Sequence, residues 1–307
     1  MPGKVIISGG TGLIGSHLSD KLTSEGYKVH ILTRSPEKHS SKNPLVEYNK
    51  WSANEDESEY RELFEDSIAV VNLAGANLGA KRWTDDFKKV IYDSRIETTK
   101  KIVEAIKLCD NPPKVLVNSS AVGIYQPSGD NKITEDSEKD NGFLAKICID
   151  WENEAYKAIE KGVRVICMRT GVVLDRNEGA IPELETPFNL FVGGPQGSGK
   201  QYFSWIHIKD IVDLYYWAIT HQNISGPLNG TSPNPERNKD FCKKLGKALG
   251  RPSWLPVPGF MLKIVLGEFA ESLLVSLRVI PEKALVEGFN FSYPVLENAL
   301  NNILRNG

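Results

Sequence analysis

The glycine-rich stretch GGTGLIG, at residues 9–15, has a spacing that indicates a definite chemistry. Gly9, Gly12 and Gly15 recur every three residues. They lie between a strand-like apolar run and a helical pattern that begins near Leu13. In such a turn the first glycine permits a tight bend, the second lets the backbone approach a pyrophosphate, and the third lets the helix pack close to the strand. Because the helix N-terminus adds free N–H groups, the pattern predicts a dinucleotide site; a tight turn alone would not need three glycines.

The end of the second strand-like run, KVHIL at 28–32, bears on which dinucleotide fits. An NAD site usually offers Asp or Glu here for the ribose 2′-hydroxyl. This chain has Thr33, Arg34 and Ser35 instead, and its first acid is Glu37. An arginine and two hydroxyls suit a 2′-phosphate, which a guanidinium can grip with two charge-assisted hydrogen bonds. NADP is therefore favoured as cofactor. The alternative is that the arginine is a solvated loop residue.

Strand-like apolar runs alternate with helical patterns through the first half of the chain. The strand-like runs are 5–8, 28–32, 68–74, 115–120 and 163–169, and the helical patterns are 13–25, 84–108 and 143–161. Near-continuous apolar strands separated by helices predict an α/β fold with a doubly wound, Rossmann-type parallel sheet. After about Arg176 glycine- and proline-rich loops appear. We therefore predict a dinucleotide-binding domain at 1–178, completed by about 205–230, and a smaller lobe from 179–204 and 231–307.

Composition and charge narrow the function classes. Lys+Arg 37 against Asp+Glu 39 gives a net charge of -2, so we expect no nucleic-acid partner and no membrane partner. Four scattered cysteines and five unpaired histidines predict neither a disulfide framework nor a metal site. Because a strand-like run begins at Val5, we expect no targeting segment, and hence a cytoplasmic protein acting on a small molecule. The apolar window 258–277 contains Lys263, Glu268 and Glu271, which favours a buried or interface helix pair over a membrane span.

Several longer motifs resemble those of the extended short-chain dehydrogenases/reductases. GGTGLIG resembles that family's phosphate loop, and NLAG (72–75) resembles its fourth-strand motif. SSAVGIY (119–125) resembles the fifth strand that carries a catalytic serine or threonine, and WIHIKDIV (205–212) resembles a segment of nucleotide-sugar epimerases and dehydratases. KRW, SRIETT, RTGVVL and the C-terminal stretch resemble one atypical epimerase-like subfamily, which has a C-terminal domain of unknown function and members described as NADP-dependent oxidoreductases. The resemblance covers essentially the whole chain.

This resemblance implies roles for individual residues. The residues that would line the pyrophosphate are Gly9, Thr11, Gly12, Leu13, Ile14 and Gly15. Those along the adenosine half would be Thr33 and Arg34 at the 2′-phosphate, Leu73 and Ala74 at the ribose, and Arg95 reaching in from a helix. Ser120 and Val173 would approach the nicotinamide end. For Arg95 the alternative is a surface ion pair.

The helix at 143–161 departs from the family pattern. The family's general mechanism is hydride transfer with a tyrosine as acid/base, whose pKa is lowered by a lysine four residues later. No Tyr-x-x-x-Lys occurs here, because Lys146 follows Gly142 and Tyr156 precedes Glu160 at that spacing. The resemblance implies that this is a trait of the subfamily. The helix then serves packing and, with the helix at 84–108, could form the dimer seam common to related folds.

Other groups could supply the chemistry. Ser120 could polarise a substrate carbonyl, and Tyr125 could act as acid or base; the alternatives are a serine at a strand end and an aromatic plug with a hydrogen-bonded hydroxyl. The loop GGPQGSGKQ (193–201) is expected to be mobile over the substrate pocket, where Lys200 and Gln201 could meet a polar or phosphorylated ligand. These residues make an NADP(H)-dependent oxidoreductase of an unknown carbonyl, alcohol or nucleotide-sugar-like substrate the leading hypothesis. A non-catalytic NADP(H)-binding sensor or scaffold is the alternative.

The histidine and aspartate of WIHIKDIV have a structural interpretation. We expect His207 to be a structural histidine and Asp210 to be an N-cap carboxylate, together pinning the helix that crosses back to the sheet. A nucleotide-sugar epimerase is a third hypothesis, for which this segment is the one specific cue.

Overall fold

The structure is a computed structural model that describes residues 3–52 and 57–305. Its strands are β1 Lys4–Ser8, β2 Lys28–Thr33, β3 Val46–Lys50, β4 Ala69–Asn72, β5 Val115–Ala121, β6 Arg164–Thr170, β7 Val172–Leu174, β8 Tyr202–Phe203, β9 Trp205–His207, β10 Gly226–Gly230 and β11 Glu236–Arg237. Its α-helices are α1 Leu13–Ser24, α2 Arg61–Phe64, α3 Asp85–Leu108, α4 Phe143–Tyr156, α5 Ala180–Asn189, α6 Ile208–Thr220, α7 Asn238–Leu249, α8 Gly259–Leu266, α9 Phe269–Leu274, α10 Glu282–Val286 and α11 Leu296–Arg305.

Seven strands form one parallel sheet in the order β10–β6–β5–β4–β1–β2–β3. The predicted doubly wound parallel sheet is therefore confirmed. Chain order reverses between β1 and β4, which opens a crevice at their carboxyl ends. In the register of these strands Ser8 lies beside Leu32 on one side and Asn72 on the other, so the ends of β1, β2 and β4 are level.

The inner strands are apolar throughout because helices cover both faces of the sheet. Val5 and Ile7 of β1 pack in one core cluster, which includes Leu18 of α1 and Leu214 of α6. Ile6 points to the opposite face and packs in a second cluster with residues of α3. Each fully buried side chain of this size contributes about 1.5–3 kcal/mol to folding.

A smaller region follows β6. Its core contains Phe188 of α5, Trp205 of β9, Phe241 of α7 and Leu300 of α11. Two small sheets accompany it, one pairing β7 with β9 in parallel and one pairing β8 with β11 antiparallel. Strand β10 then joins the edge of the main sheet, with Asn229 opposite Arg169 of β6. The proposed division of the chain into a domain and a lobe stays a prediction.

Helix α8 is not buried, so of the two expectations for the helix pair at 258–277, buried or interface, the buried one is wrong for α8 and the interface one stays a prediction. All eight of its residues are described and none is buried, and Phe260, Ile264 and Val265 are 66%, 67% and 73% exposed. The apolar window breaks into two short helices around Gly267, whose φ is +64°, and only Ala270 of α9 in that pair of helices is buried. Within the described residues, no helix has the length and apolar character needed to cross a bilayer.

Candidate functional site

The glycine loop lies at the carboxyl end of β1, in the crevice beside β4. Gly9 has a φ of +76°, and a Cβ there would lie 2.8 Å from the carbonyl carbon of Leu73 and 2.9 Å from the nitrogen of Ala74. A Cβ at Gly15 would lie 2.4 Å from the carbonyl oxygen of Gly9. A Cβ at Gly12 would lie 3.5 Å from the carbonyl oxygen of Gly9, which is an ordinary contact distance. No other described atom outside the adjoining residues would lie within 4 Å of it. The first and third glycines thus serve the protein's own packing, whereas Gly12 leaves space for a ligand.

Helix α1 starts at Leu13, directly after this loop. Gly12 is its N-cap, no described side chain caps it, and its first turn contains no acidic residue. Its free N–H groups and the positive end of its dipole are therefore left uncompensated at the crevice, which favours an anion. Leu13 and Ile14 pack against the core, while Thr11 is exposed at the loop.

The end of β2 places a free guanidinium next to this loop. Thr33 Oγ1 accepts a hydrogen bond from the N–H of Ser35 at 3.4 Å, which shapes the turn. Arg34 is exposed, and within residues 3–52 and 57–305 it has no hydrogen bond and no ion pair. Because Ser8 and Leu32 are paired, this arginine lies one strand away from the glycine loop. The site thus offers an unneutralised cation at the place that the sequence predicts for a 2′-phosphate.

Arg95 of α3 reaches the loop after β4. It donates to the carbonyl oxygens of Ile91 at 3.0 Å and Ala76 at 3.1 Å, and its guanidinium lies 5.3 Å from the ring centroid of Trp151. Burial lowers its pKa. No described carboxylate forms an ion pair with it, so the surface ion pair considered for Arg95 is absent from this part of the chain. Its charge, like that of Arg34, is unneutralised.

A buried polar cluster that sequence reasoning missed holds α3 and α4 against the sheet. Asn72 donates to Thr99 Oγ1 at 2.8 Å and to Asn118 Oδ1 at 2.7 Å. The indole N–H of Trp151 donates to the same Thr99 oxygen at 2.7 Å. Asn72 belongs to the NLAG motif and Thr99 to the SRIETT motif, so these motifs were the signal in the sequence that could have revealed the cluster. The cluster sets the position of α3 and therefore of Arg95.

Ser120 at the end of β5 is hydrogen-bonded to a carboxylate. Its Oγ donates to Oε1 of Glu152 on α4 at 2.7 Å, and both residues are buried. Arg169 of β6 binds the same carboxylate with two hydrogen bonds of 2.8 Å each. Because an ionised carboxylate only accepts, the proton of the serine hydroxyl points at Glu152 and its lone pairs are left for another donor.

Tyr125 lies further along the same buried network. Its side chain is 2% exposed, and its hydroxyl donates to Asn229 Oδ1 at 2.6 Å and accepts from Arg169 at 2.9 Å. Burial raises the pKa of this phenol well above its ordinary value, although the neighbouring Arg169 opposes that shift. This geometry favours the aromatic plug over an acid/base role. Glu135 extends the network, accepting from the backbone N–H of Asn229 at 3.0 Å and of Lys283 at 3.3 Å.

Near the carboxyl end of β5, α4 places Leu144 and Cys148, neither of them a tyrosine or a lysine. A Cβ at Gly123 would lie 3.6 Å from Leu144, and the Cys148 thiol lies beside Ser120 and the backbone of Ala121. Burial raises the pKa of that thiol to about 11, so it is not a thiolate at neutral pH. Lys146, the lysine that the sequence made conspicuous, instead forms an exposed pair with Asp150 at 2.9 Å.

Val173 of β7 lies close to the start of α1. A Cβ at Gly179 would be 3.0 Å from the carbonyl oxygen of Val173 and 3.2 Å from the side chain of Leu13. The structure therefore brings Ser120, Val173 and the glycine loop to the carboxyl edge of the same sheet. Their predicted contacts with a cofactor stay predictions.

The roles expected for His207 and Asp210 are corrected by the structure. His207 is the N-cap of α6, and its Nδ1 accepts from the N–H of Lys209 at 3.0 Å. Asp210 is not the N-cap, because its carboxylate accepts from the N–H groups of Ser292 at 2.7 Å and Tyr293 at 2.9 Å. Both residues are structural, but the carboxylate pins the segment before α11.

The loop at 193–201 is tied down, contrary to the expectation of a mobile lid. Gln196 N donates to the side chain of Asn238 at 2.7 Å, and Gly197 N donates to the carbonyl of Val257 at 2.8 Å.

As for other chemistry, the described cysteines are free and buried, and no cluster of three or more His, Cys, Asp or Glu suited to a metal occurs within the described ranges.

Comparisons with known proteins agree with this architecture. Residues 5–229 match the NAD dependent epimerase/dehydratase family, and residues 257–303 match a domain of unknown function, DUF1731. An epimerase family protein of Arabidopsis thaliana, the chloroplastic SDR39U1 homolog, is 42% identical over 98% of this chain and 86% of that protein. The epimerase family protein YfhF of Bacillus subtilis is 37% identical over 98% of this chain and 97% of that protein.

Solved structures give the same assignment. The crystal structure of human epimerase family protein SDR39U1 with NADPH matches 99% of this chain and 100% of that one, with a TM-score of 0.87 and 34% identity. UDP-N-acetylglucosamine 4-epimerase from Bacillus cereus shares the fold at a TM-score of 0.76 and 18% identity, covering 99% of this chain and 96% of that one. The chain belongs to the NAD dependent epimerase/dehydratase family.

Proposed function

We propose that this protein is an NADP(H)-dependent oxidoreductase whose cofactor lies in the crevice between β1 and β4. The observation that carries the proposal is the open position at Gly12, next to an uncapped helix N-terminus and one strand away from the unpaired guanidinium of Arg34. The human relative crystallised with NADPH supports it. A pyrophosphate suits the helix N-terminus, and a 2′-phosphate suits the arginine.

The remaining predicted contacts follow the same edge of the sheet. NADP(H), when bound, supplies hydride transfer. Leu73 and Ala74 would line the adenine-side ribose, with Arg95 holding the backbone behind them through Ala76. Ser120 and Val173 would flank the nicotinamide end. Arg34 and Arg95 would strengthen binding because neither has a competing carboxylate in the described structure.

The direction of the Ser120 hydroxyl bears on the substrate. With its proton directed at Glu152, Ser120 Oγ can accept a hydrogen bond from a substrate alcohol, and as that proton arrives its own can pass to Glu152. Polarising a carbonyl would require the serine to turn its proton away from Glu152 and towards the substrate. The geometry as it stands therefore supports proton removal from an alcohol as hydride leaves its carbon. Arg169, with its two hydrogen bonds to the carboxylate, holds Glu152 in place.

The test begins with the bound nucleotide and then follows turnover. We expect the purified protein to bind NADPH more tightly than NADH. A panel of primary and secondary alcohols is then incubated with NADP⁺, and a panel of aldehydes and ketones with NADPH, while the absorbance of the reduced nicotinamide is recorded. Ser120→Ala should abolish any turnover found, whereas Tyr125→Phe should lower stability more than rate. NADPH bound tightly but inert with both panels would contradict the oxidoreductase proposal.

A second candidate is a non-catalytic NADP(H)-binding sensor or scaffold. The specific observation in its favour is that Leu144 and Cys148, which α4 places near the end of β5, are neither acid nor base at neutral pH, while Glu152, the α4 carboxylate bonded to Ser120, is already bound by Arg169. The sequence cue for the epimerase hypothesis is weakened, because His207 is buried and stacked on Tyr293 at 4.0 Å, and that hypothesis then rests on the family match. Inert, tightly held NADPH would support the sensor.

A further inference from the structure

A groove of about 680 Å³ lies outside the predicted cofactor site. Its walls are the turn at 129–130, the loop at 198–201, the start of α7 at 237–239 and the segment at 274–276. None of these residues belongs to the glycine loop, the β2 turn or the β5 end. The volume falls within the range of small-molecule sites, about 300–1,000 Å³.

The groove carries an excess of positive charge. Lys200, Arg237 and Lys239 line it, whereas Asp130 is the one carboxylate among the residues that form its wall. Asp130 is already engaged, because Arg237 Nη2 lies 2.8 Å and 2.9 Å from its two oxygens. Lys200 and Lys239 are exposed, and no ion pair joins either to a described carboxylate. Two ammonium groups are therefore available to an anion.

The groove is also held in shape without a ligand. Arg237 donates to the carbonyl oxygen of Lys200 at 2.5 Å, and its guanidinium lies 4.7 Å from the ring centroid of Tyr202. The N–H of Lys239 donates to the carbonyl of Gly199 at 2.9 Å. These contacts fix the two lysine backbones relative to each other. A pre-formed site loses less entropy on binding than a flexible one.

Gln201 supplies a second, different recognition group. It is 6% exposed, lines the groove, and donates from Nε2 to the carbonyl of Gln196 at 2.9 Å. Its Oε1 accepts no hydrogen bond from any residue that the structure describes. Because Gln201 lines the groove, this oxygen is available to accept a hydrogen bond from a ligand hydroxyl. The groove thus combines cations for an anion with an acceptor for a hydroxyl.

We propose that this groove is a binding site for a small phosphate monoester that carries hydroxyl groups, the chemistry of a sugar phosphate. The phosphate lies between Lys200 and Lys239, and a hydroxyl of the same molecule donates to Gln201 Oε1. Arg237 keeps its pair with Asp130 and forms the floor. This site does not rest on the proposed oxidoreductase activity, because its residues are separate from those assigned to the cofactor.

Calorimetric titration of the full chain tests the site with three probes: glucose 6-phosphate, inorganic phosphate and glucose. We expect glucose 6-phosphate to bind most tightly, inorganic phosphate more weakly, and glucose not at all. The double variant Lys200→Gln/Lys239→Gln should weaken glucose 6-phosphate at least tenfold. Gln201→Leu should weaken glucose 6-phosphate and leave inorganic phosphate unchanged. Lys243→Gln/Lys247→Gln, two exposed lysines further along α7, is the matched control and should change neither.

The cofactor provides the second control. NADPH affinity should be the same in the wild type and in Lys200→Gln/Lys239→Gln, and saturating NADPH should not displace glucose 6-phosphate. Equal affinity in the double variant and the wild type, competition with NADPH, or no heat with either phosphate probe would each overturn the proposal. Thermal melting of each variant shows that it is folded, and substitutions at the two exposed lysines should leave the melting temperature unchanged.

Discussion

Arginines on the two sides of the carboxyl edge of the sheet differ in how their charge is neutralised. Arg34 and Arg95, on the side predicted to bind the adenosine half of the cofactor, have no ion pair with any described carboxylate. Arg169, at the end of β6, is 2% exposed and is joined to Glu152 by two hydrogen bonds. The first pair leaves charge available for an anionic ligand. The charge of Arg169 is instead neutralised inside the protein by Glu152, the carboxylate that orients Ser120.

The unpaired arginines are therefore suited to ligand binding, whereas the paired arginine holds the protein's own structure together. A buried guanidinium needs a partner to offset the cost of desolvation, and in the β5–β6–β10 region the partner is part of the chain. In the crevice the partner is expected to arrive with the ligand. Substituting the paired Arg169 should therefore lower stability, whereas substituting an unpaired crevice arginine should lower the affinity for the ligand.

Breaking the internal pair should have the largest effect. Arg169→Leu leaves Glu152 buried without its partner and removes a donor from Tyr125 and from the carbonyl of Glu135. We expect the free energy of unfolding to fall by about 3–5 kcal/mol, measured by urea denaturation. The matched control is Arg176→Leu, whose pair with Glu185 is partly exposed and should cost about 0–1 kcal/mol. A loss below about 1 kcal/mol at Arg169 would show that the network contributes little.

His207 is a further case, a buried ionisable group that is kept neutral instead of being paired with an opposite charge. Burial lowers the pKa of His207 to about 4, from an ordinary value of 6.5. The unfolded chain therefore binds a proton that the folded chain excludes, so stability is complete above pH 6.5 and is lost as the pH falls towards 4. We expect a loss of about 3 kcal/mol over this window. His207→Asn keeps an N-cap acceptor but not the titration, and its urea midpoints should depend less on pH; an identical slope would contradict the assignment.

The parts of this architecture that are local could be predicted from the sequence. Five strands of the sheet begin as apolar runs, and GGTGLIG has a spacing that depends only on neighbouring residues, so both were predictable; the edge strand β3, with the sequence VEYNK, has no such run and was missed. The free state of Arg34 was also indicated, because no acid precedes Glu37 after β2. Patterns of this kind are set by backbone geometry and by burial within one element.

Contacts between distant elements could not be predicted in the same way. The bond of Glu152 to Ser120 depends on how α4 docks on β5, which no local pattern specifies. Asp210 was given the wrong role for the same reason, because the N–H groups that donate to it lie more than eighty residues away. The dimer seam along α3 and α4 stays a prediction. Val90 on α3 is 51% exposed, whereas its neighbour Lys89 is paired on the surface with Asp93.

Removing the free charge in the crevice should change affinity without changing stability. In Arg34→Ala the 2′-phosphate of NADPH loses its guanidinium, and hydrogen bonds to charged groups contribute about 1.5–3 kcal/mol each. We expect NADPH affinity to fall about 10–100-fold, while NADH affinity and the unfolding midpoint stay the same. Nucleotide fluorescence titration measures both affinities. Equal losses for NADPH and NADH would place the 2′-phosphate elsewhere.

The smallest effect is expected at Lys146, which tests whether α4 has any catalytic cation. Its ammonium lies on the surface and pairs with Asp150, four residues along the helix, so Lys146→Gln should leave the urea midpoint almost unchanged. A catalytic lysine would instead lower the pKa of a nearby tyrosine, whereas Tyr92, which donates to the same Asp150, has its pKa raised by that hydrogen bond. NADPH affinity and any turnover should therefore match the wild type. A rate loss of tenfold or more with unchanged melting would show that the surface pair opens during the reaction, and the division between paired framework charges and free binding charges would then fail at this helix.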